Sequence, residues 1–132
     1  MAEQLILETT FLMDLERARQ ALQERACAQF LASQGAARLY LCHTTIGELA
    51  CGVGAYERAK LERLVAPFHV LDHTLEVDWQ YAQAFRHLRR CGELIAANDL
   101  WIAATALAYR MPVVTRNIAQ YERVPGLEVL TY

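Results

Sequence analysis

The chain has 132 residues, of which 55% are hydrophobic and 21% are charged, and its formal net charge at pH 7 is −2. This length suits one domain, here 1–132, and the composition excludes a disordered or low-complexity chain. The small negative charge excludes a broadly basic surface, so any contact with nucleic acid must come from a local patch.

We expect neither a membrane-spanning segment nor a secretory leader in this sequence. No apolar run approaches the roughly 18–20 residues that cross a bilayer, and the first ten residues lack a basic start. The four cysteines form no CxxC pair and are expected to be reduced. We therefore predict a cytoplasmic protein that does not associate with a membrane.

Short apolar runs alternate with longer helix-forming segments along the chain. In chain order the pattern predicts a strand over 4–7, a helix within 19–34, a strand over 39–41, a helix from Thr44 or Thr45 to Gly52, a helix over 56–65, a strand over 68–71, a helix from Leu75 to Gly92, a helix over 98–110, a strand over 112–115 and a strand over 127–130. Such alternation predicts an α/β fold with a mostly parallel sheet of about five strands, covered on both faces.

Local patterns also predict where helices begin and which faces they bury. Thr9 and Thr10 follow the first strand and suit a helix start, and Thr44 or Thr45 stands three or four residues before Glu48, the spacing of a capping box. In the helix that ends at Gly92, apolar residues recur at three- and four-residue steps. This spacing predicts a buried face made of Leu75, Trp79, Ala82 and Phe85.

Polar residues follow several of the apolar runs. Glu8 follows the first strand directly, Asp99 opens the alanine-rich helix, and Asn117 lies two residues past the fourth strand. Glu48 has apolar neighbours, so part of its helix faces the core. Because ligands of open α/β sheets bind at the carboxyl ends of the strands, we expect these four side chains to converge there.

A cluster of this kind is chemically reasonable with a divalent cation. Neighbouring carboxylates raise one another's pKa, whereas Mg²⁺ or Mn²⁺ binds oxygen ligands and neutralises them. Such an ion activates water and stabilises charge on a phosphate, which predicts phosphodiester hydrolysis. Each acid also has a structural interpretation: Asp99 as a first-turn helix acid, Glu48 as half of a capping box and Glu8 as an exposed turn residue.

Other common catalytic arrangements are excluded by the sequence. Ser33 is the only serine and lies outside a GxSxG motif, which rules out a serine hydrolase of that type. Neither GxxxxGK[ST] nor GxGxxG occurs, so no phosphate-binding glycine loop is expected. The four histidines form no HExxH pair and are interpreted as surface or packing residues.

Three segments resemble motifs of the PIN-domain family. Segment 5–15 (LILETTFLMDL) resembles the opening motif, in which a hydrophobic strand leads to Asp-Thr/Ser and a short apolar helix. Segment 44–53 (TTIGELACGV) resembles the second motif, with Glu48 as its acid. Segment 92–132 is similar to the ending of VapC-type members, where a D-x-x-I-A-A helix leads to a strand, T-x-N or T-x-D, an aromatic residue and a VPGL turn.

This resemblance implies a three-layer α/β/α sandwich and a Mg²⁺- or Mn²⁺-dependent ribonuclease, the toxin of a VapBC-type toxin–antitoxin pair. It implies an RNA substrate, a VapB-type antitoxin as partner and a homodimer as the assembly. Carried over by position, the catalytic residues are Glu8, Glu48, Asp99 and Asn117, with Thr115 in support. The three acids are the implied metal ligands.

Two positions depart from the family pattern. The opening motif normally carries Asp, and the extra methylene of Glu8 moves the carboxylate outward; a displacement near 1 Å can reduce a rate by about 10²-fold. Asn117 offers a carbonyl oxygen where many members carry an acid. The alternative function is therefore a catalytically weakened PIN-fold module that binds its antitoxin or RNA. A receiver-like domain would need an acidic pair after the first strand and a Lys after the last, and LILETT and GLEVLTY lack them.

Four arginines are candidate phosphate contacts on this otherwise acidic chain. Arg116 follows the fourth strand beside the expected site, and the outer face of the helix that ends at Gly92 carries Arg86, Arg89 and Arg90. The alternative interpretation of the last three is a solvated helix face.

Overall fold

The fold is a parallel sheet between two layers of helices, seen in a computed structural model that describes residues 3–21 and 25–132. The strands are β1 (Gln4–Leu7), β2 (Arg38–Leu41), β3 (His69–Val70), β4 (Val113–Val114) and β5 (Val129–Leu130). The helices are α1 (Thr9–Gln20), α2 (Ala26–Ser33), α3 (His43–Gly52), α4 (Arg58–Val65), α5 (Leu75–Cys91), α6 (Ala97–Tyr109) and α7 (Ile118–Tyr121).

The sheet has the strand order β3-β2-β1-β4-β5, and all its neighbouring pairs are parallel. The chain first builds outward from β1 through β2 to β3, and it then returns to the other side of β1 to add β4 and β5. The order therefore reverses between β1 and β4, where Leu7 is in register with Val114. A crevice outside the carboxyl ends of two such strands is the usual ligand site of an open α/β sheet.

Alternation along β1 separates the core into two apolar layers. Leu5 and Leu7 pack with Phe11 of α1 and with residues of α2, α3 and α4 on one face of the sheet. Ile6 packs on the other face, with Leu88 of α5 and Ile102 of α6. Successive strand residues point to opposite faces, so a fully apolar run such as this one belongs in a sheet covered on both sides. The α/β/α sandwich predicted from the sequence is thereby confirmed.

The predicted helix within 19–34 is wrong as one continuous element. Helix α1 ends at Gln20, and Arg25 is extended (φ −122°, ψ 169°) before α2 begins. The predicted helical residue Leu22 lies outside the described residues. Two shorter helices instead keep Ala18 and Cys27 over the same face of the sheet.

The structure also corrects the predicted capping box of α3. Cys42 is the N-cap residue, and its side chain makes no capping hydrogen bond. Thr45 is buried, and it and Glu48 contact Thr9 of α1 instead. Tertiary contacts therefore replace the local hydrogen bonds that the spacing predicts.

Helix α5 has the predicted extent but a different buried face. Its buried residues are Val77, Ala84 and Leu88. Of the four residues predicted for the buried face, Ala82 and Phe85 are half-buried and Phe85 packs against the core, whereas Leu75 is 83% exposed and Trp79 is 54% exposed. The helix begins at the N-cap Thr74 and ends at Gly92, which is left-handed with φ 68°. None of the described helices is both long and apolar enough to cross a membrane.

Candidate active site

Glu8 lies at the switch point of the sheet, between β1 and α1. Its backbone N–H donates to the Val114 carbonyl oxygen at 3.0 Å, which fixes it beside β4. Its carboxylate oxygen Oε2 accepts hydrogen bonds from the backbone N–H of Thr10 at 3.1 Å, from the Thr10 hydroxyl and from the Thr115 hydroxyl at 2.8 Å. Glu8 is only 3% exposed, so its interpretation as an exposed turn residue is wrong. It is the N-cap of α1, a position that favours an acceptor because the first N–H groups of a helix are unpaired.

Glu48 approaches the same end of the sheet from α3. Its Oε1 accepts a hydrogen bond of 2.7 Å from the hydroxyl of Thr9, the residue that follows Glu8. The Thr9 hydroxyl also lies 3.4 Å from that of Thr45. The start of α1 thus carries Glu8 as its N-cap residue and contacts Glu48 through the side chain of Thr9, its first residue.

Asp99 comes from the first turn of α6, on the opposite face of the sheet. Its Oδ1 accepts a hydrogen bond of 3.2 Å from the Tyr121 hydroxyl, and Tyr121 is fully buried at the end of α7. An acid in the first turn also interacts favourably with the helix dipole. The structural interpretation of Asp99 is therefore valid, and the hydrogen bond to Tyr121 adds a tertiary contact that a first-turn acid does not require.

Electrostatic coupling connects the three acids. Burial raises the pKa of Glu8 and outweighs three hydrogen bonds that lower it. The charge of Asp99 raises the same pKa further. Burial likewise raises the pKa of Asp99, with a contribution from the charge of Glu48, while the Tyr121 hydroxyl lowers it. The structure thus places the three carboxylates that the sequence singles out within electrostatic range of one another, and Glu8 and Asp99 are costly to ionise there.

Thr115 and Asn117 lie next to this cluster. Thr115 is fully buried at the end of β4; its hydroxyl donates to Glu8 and accepts a hydrogen bond of 2.9 Å from the backbone N–H of Asn117. Asn117 is the N-cap residue of α7, but its side chain makes no capping hydrogen bond. The backbone of the Thr115–Asn117 turn is therefore fixed around the Glu8 carboxylate.

The donor set is one that a hard cation accepts. In residues 3–21 and 25–132, no three His, Cys, Asp or Glu side chains are close enough to ligate one ion together. Mg²⁺ does not require a closed protein cage, because it is usually held by one or two carboxylates and keeps several waters. Carboxylate and amide oxygens are the ligands that this class of cation prefers, so Glu8, Asp99, Glu48 and Asn117 fit a hydrated ion in chemical type.

The candidate phosphate contacts differ in their surroundings. Arg116 is exposed, its guanidinium is 3.2 Å from Asp14 of α1, and its backbone N–H points to the Thr10 hydroxyl at 3.5 Å. The Tyr132 hydroxyl donates to the same Asp14 at 2.6 Å. Sequence reasoning missed Asp14 as an ion-pair partner of Arg116, because the two are far apart in the chain.

The three arginines of α5 line an open depression together with Gln83 and Phe85. Tyr81 of α5 stacks on Trp101 of α6 with ring centroids 3.7 Å apart, and residues 92–96 join the end of α5 to the start of α6. The last turn of α5 therefore lies at the end of α6 that carries Asp99. All three arginines are exposed, namely Arg86, Arg89 and Arg90.

An apolar groove runs between α1, α3 and α4 and reaches Glu48. Its cavity has a volume of about 240 Å³. The apolar side chains that line it include Leu12, Met13, Leu15, Leu49, Leu64 and Phe68. The groove thus joins an apolar surface to one of the three acids.

The sequence matches a family model and is similar to proteins of other organisms. The model of the PIN domain family matches residues 5–127. The chain is 27% identical over 135 residues to "Ribonuclease VapC" of Rickettsia bellii, covering 96% of this chain and 95% of that protein. It is 29% identical over 137 residues to "VapC ribonuclease Y4jK" of Sinorhizobium fredii, with the same coverage of both proteins.

Two solved structures share the fold. The structure of VapBC2 from Rickettsia felis, bound to a DNA fragment from its promoter, superposes with a TM-score of 0.82 at 21% identity and covers 98% of both chains. VapBC-5 from Mycobacterium tuberculosis, described as a member of the VapBC family of toxin–antitoxin systems, superposes with a TM-score of 0.67 at 22% identity and the same coverage. At these identities, the two structures support the fold alone.

Proposed function

Because the chain belongs to the PIN-domain family and is of the VapC toxin type, we propose that it is a metal-dependent endoribonuclease that hydrolyses RNA phosphodiesters and is restrained by a VapB-type antitoxin. The observation that carries the proposal is that Glu8 at the switch point of the sheet, Glu48 bonded to the adjacent Thr9, and Asp99 are linked by electrostatic interactions. Neighbouring buried or half-buried carboxylates whose charges raise the pKa of Glu8 and of Asp99 are costly in a structural role. They become favourable where a cation has to be bound.

Each residue of the site has a distinct proposed role. Glu8, Asp99 and Glu48 hold the cation directly or through water, and Thr115 keeps the Glu8 carboxylate in place. Asn117 orients a water molecule or the phosphate through its amide. When bound, Mg²⁺ or Mn²⁺ lowers the pKa of a coordinated water and neutralises charge on the phosphate.

Asp99→Asn tests the proposed function most directly. The amide keeps the size of the side chain but removes one negative charge from the cluster, so we expect cleavage of RNA with Mg²⁺ or Mn²⁺ to fall by at least about 10²-fold. Asp78→Asn is the matched control, since Asp78 is exposed on α5 and pairs with His73. Cleavage by the wild type that persists unchanged in EDTA would overturn the metal dependence.

We also propose that the antitoxin covers the apolar groove between α1, α3 and α4. The groove is apolar and reaches Glu48, so a segment bound there would lie against the proposed site. The VapBC assemblies with this fold contain a partner of the VapB type. An apolar segment of that partner suits a surface that would otherwise expose Met13 and its neighbours to water.

Met13→Glu tests the partner surface without altering the acids. Met13 is 42% exposed in the groove, so a charge there is tolerated in the free chain, and we expect antitoxin binding to weaken by at least about tenfold with RNA cleavage retained. Leu75→Glu, at an exposed apolar position on α5, is the control. Equal binding by both variants would place the antitoxin elsewhere.

The homodimer stays a prediction, which sedimentation of the purified chain would test.

A further inference from the structure

Tyr121 has an unusual position for a core aromatic residue. Its ring is fully buried in the apolar layer formed with α5 and α6, while its hydroxyl reaches the acid cluster and donates to Oδ1 of Asp99. Burial explains the ring, but it does not explain why the polar end is directed at a carboxylate. A phenylalanine would fill the same apolar space without a polar atom to satisfy.

The hydroxyl lies within the electrostatic reach of all three acids. Burial raises the pKa of Tyr121, and the negative charges of Glu8, Asp99 and Glu48 each raise it further. A tyrosine hydroxyl is in any case protonated and neutral at physiological pH. The Tyr121 hydroxyl can donate to a carboxylate without adding a fourth negative charge to the cluster.

Helix α7 connects Tyr121 to the other side of the site. The helix has four residues and follows the Thr115–Asn117 turn, whose hydroxyl group holds Glu8. Arg123, just beyond α7, donates to the carbonyl oxygen of Leu94 in the segment before α6. The segment from Thr115 to Arg123 thus holds Glu8 through Thr115 at one end and contacts the region before Asp99 through Arg123 at the other.

We propose that Tyr121 is a positioning residue that fixes the Asp99 carboxylate for cation binding, an inference that rests on the proposed function. Within the described ranges, its hydroxyl is the side-chain donor to Asp99, and the bond uses Oδ1. The second oxygen, Oδ2, is then oriented for the cation or its water. Residues that orient a metal ligand contribute about 10- to 100-fold to metal affinity or activity.

Tyr121→Phe is the test, because it removes the hydroxyl and keeps the buried ring. We expect the Kd for Mn²⁺, measured by calorimetry on the chain without RNA, to rise by about tenfold or more. In cleavage assays the Mn²⁺ concentration for half-maximal rate should rise by a similar factor, whereas the KM for RNA should stay unchanged.

Tyr109→Phe is the matched control. The Tyr109 hydroxyl also donates a hydrogen bond, of 2.9 Å to the carbonyl oxygen of Asp72, but it belongs to the opposite end of α6 from Asp99. Both variants lose one hydroxyl hydrogen bond, and because that of Tyr121 is the more buried, the thermal unfolding of both variants is measured alongside. We expect the Mn²⁺ affinity of Tyr109→Phe to equal that of the wild type.

A double-mutant cycle tests whether Tyr121 acts through Asp99. If it does, Tyr121→Phe should change Mn²⁺ affinity in the wild type and should have no further effect in Asp99→Asn. Equal effects in both backgrounds would overturn the inference, and so would an unchanged Kd in Tyr121→Phe. These outcomes leave the proposed function intact if the wild type still needs Mn²⁺ to cleave RNA. A wild type that neither binds Mn²⁺ nor cleaves RNA would overturn both.

Discussion

The acid cluster of Glu8, Glu48 and Asp99 and the outer face of α5 place charged side chains in two different ways. The cluster takes its residues from distant parts of the chain, buries Glu8, half-buries Glu48 and Asp99, and fixes all three with hydroxyl or backbone donors. The α5 face takes Arg86, Arg89 and Arg90 from one helix and leaves them exposed, and of these Arg86 lies 6.0 Å from the Trp79 ring. The first arrangement is preorganised for chemistry at one point, whereas the second suits attraction to a charged chain over a surface.

Glu8→Asp should have the largest effect among the variants that sharpen this comparison. The three hydrogen bonds to Oε2 hold the longer side chain in a defined position. Shortening it withdraws the carboxylate from Thr115, and we expect the rate of RNA cleavage to fall by about 10²-fold. Glu76→Asp, on the exposed surface of α5, should leave the rate unchanged.

The opposite result would also be informative. If Glu8→Asp raises the rate of RNA cleavage well above that of the wild type, the longer side chain weakens the site. The chain would then be better described as the catalytically weakened module that the sequence leaves as an alternative. Cleavage of a defined RNA by the two proteins at saturating Mn²⁺ decides between these outcomes.

Thr115→Val should have the next largest effect. Valine keeps the buried shape but removes the hydroxyl that connects Glu8 to the backbone of Asn117. We expect activity to fall by about tenfold, the lower end of the usual effect of removing a partner of a metal ligand. Thr105→Val is the control, because the Thr105 hydroxyl bonds only to the Trp101 carbonyl oxygen within α6. Equal activity in the two variants would contradict a role for Thr115.

Charge reversal on the α5 face should have a smaller and more diffuse effect. We expect Arg89→Glu to weaken RNA binding severalfold and to reduce the salt dependence by a slope of about 0.7, the value for one phosphate contact on a single strand. Arg116→Glu should do the same beside the acid cluster, despite the ion pair of Arg116 with Asp14. Arg63→Glu, on exposed α4, is the control. Identical salt slopes in all three variants would assign the arginines to a solvated surface.

The acid cluster also predicts a pH dependence of stability. Burial raises the pKa of Glu8, so the folded chain holds a proton on this group more readily than the unfolded chain does. Without metal, its contribution to stability should therefore fall as pH rises above the ordinary value of 4.5 and through the raised pKa. Asp99 acts in the same direction.

Glu8→Gln should make metal-free unfolding less dependent on pH in this window and should raise the free energy of unfolding at neutral pH. Urea unfolding of both proteins at several pH values measures this. If the wild type becomes steadily more stable between about pH 5 and pH 8, the expected fall of its free energy of unfolding with rising pH is wrong. Mn²⁺ should stabilise the wild type more than Glu8→Gln, because the ion binds only the folded cluster.

Most of the fold and the three acids could be predicted from the sequence, for local reasons. The apolar runs and helical spacings identify the strands and most helices within a few residues, and strand ends in a parallel sheet meet at one edge. Glu8 and Asp99 stand directly after a strand and at the start of a helix, so their positions follow from element boundaries. The apolar neighbours of Glu48 and its resemblance to the second PIN motif place it at the site, whereas its spacing from Thr44 and Thr45 alone suggests a cap.

Only the tertiary structure decided the details that depend on distant contacts. It divides the segment between Thr9 and Ser33 into two helices, which keeps Ala18 and Cys27 over one face of the sheet. It turns α5 so that Val77 and Leu88 are buried and Trp79 is exposed, a choice between two apolar faces that spacing cannot make. It also directs the Tyr121 hydroxyl at Asp99, since a side chain 22 residues away in sequence meets its partner only when the chain has folded.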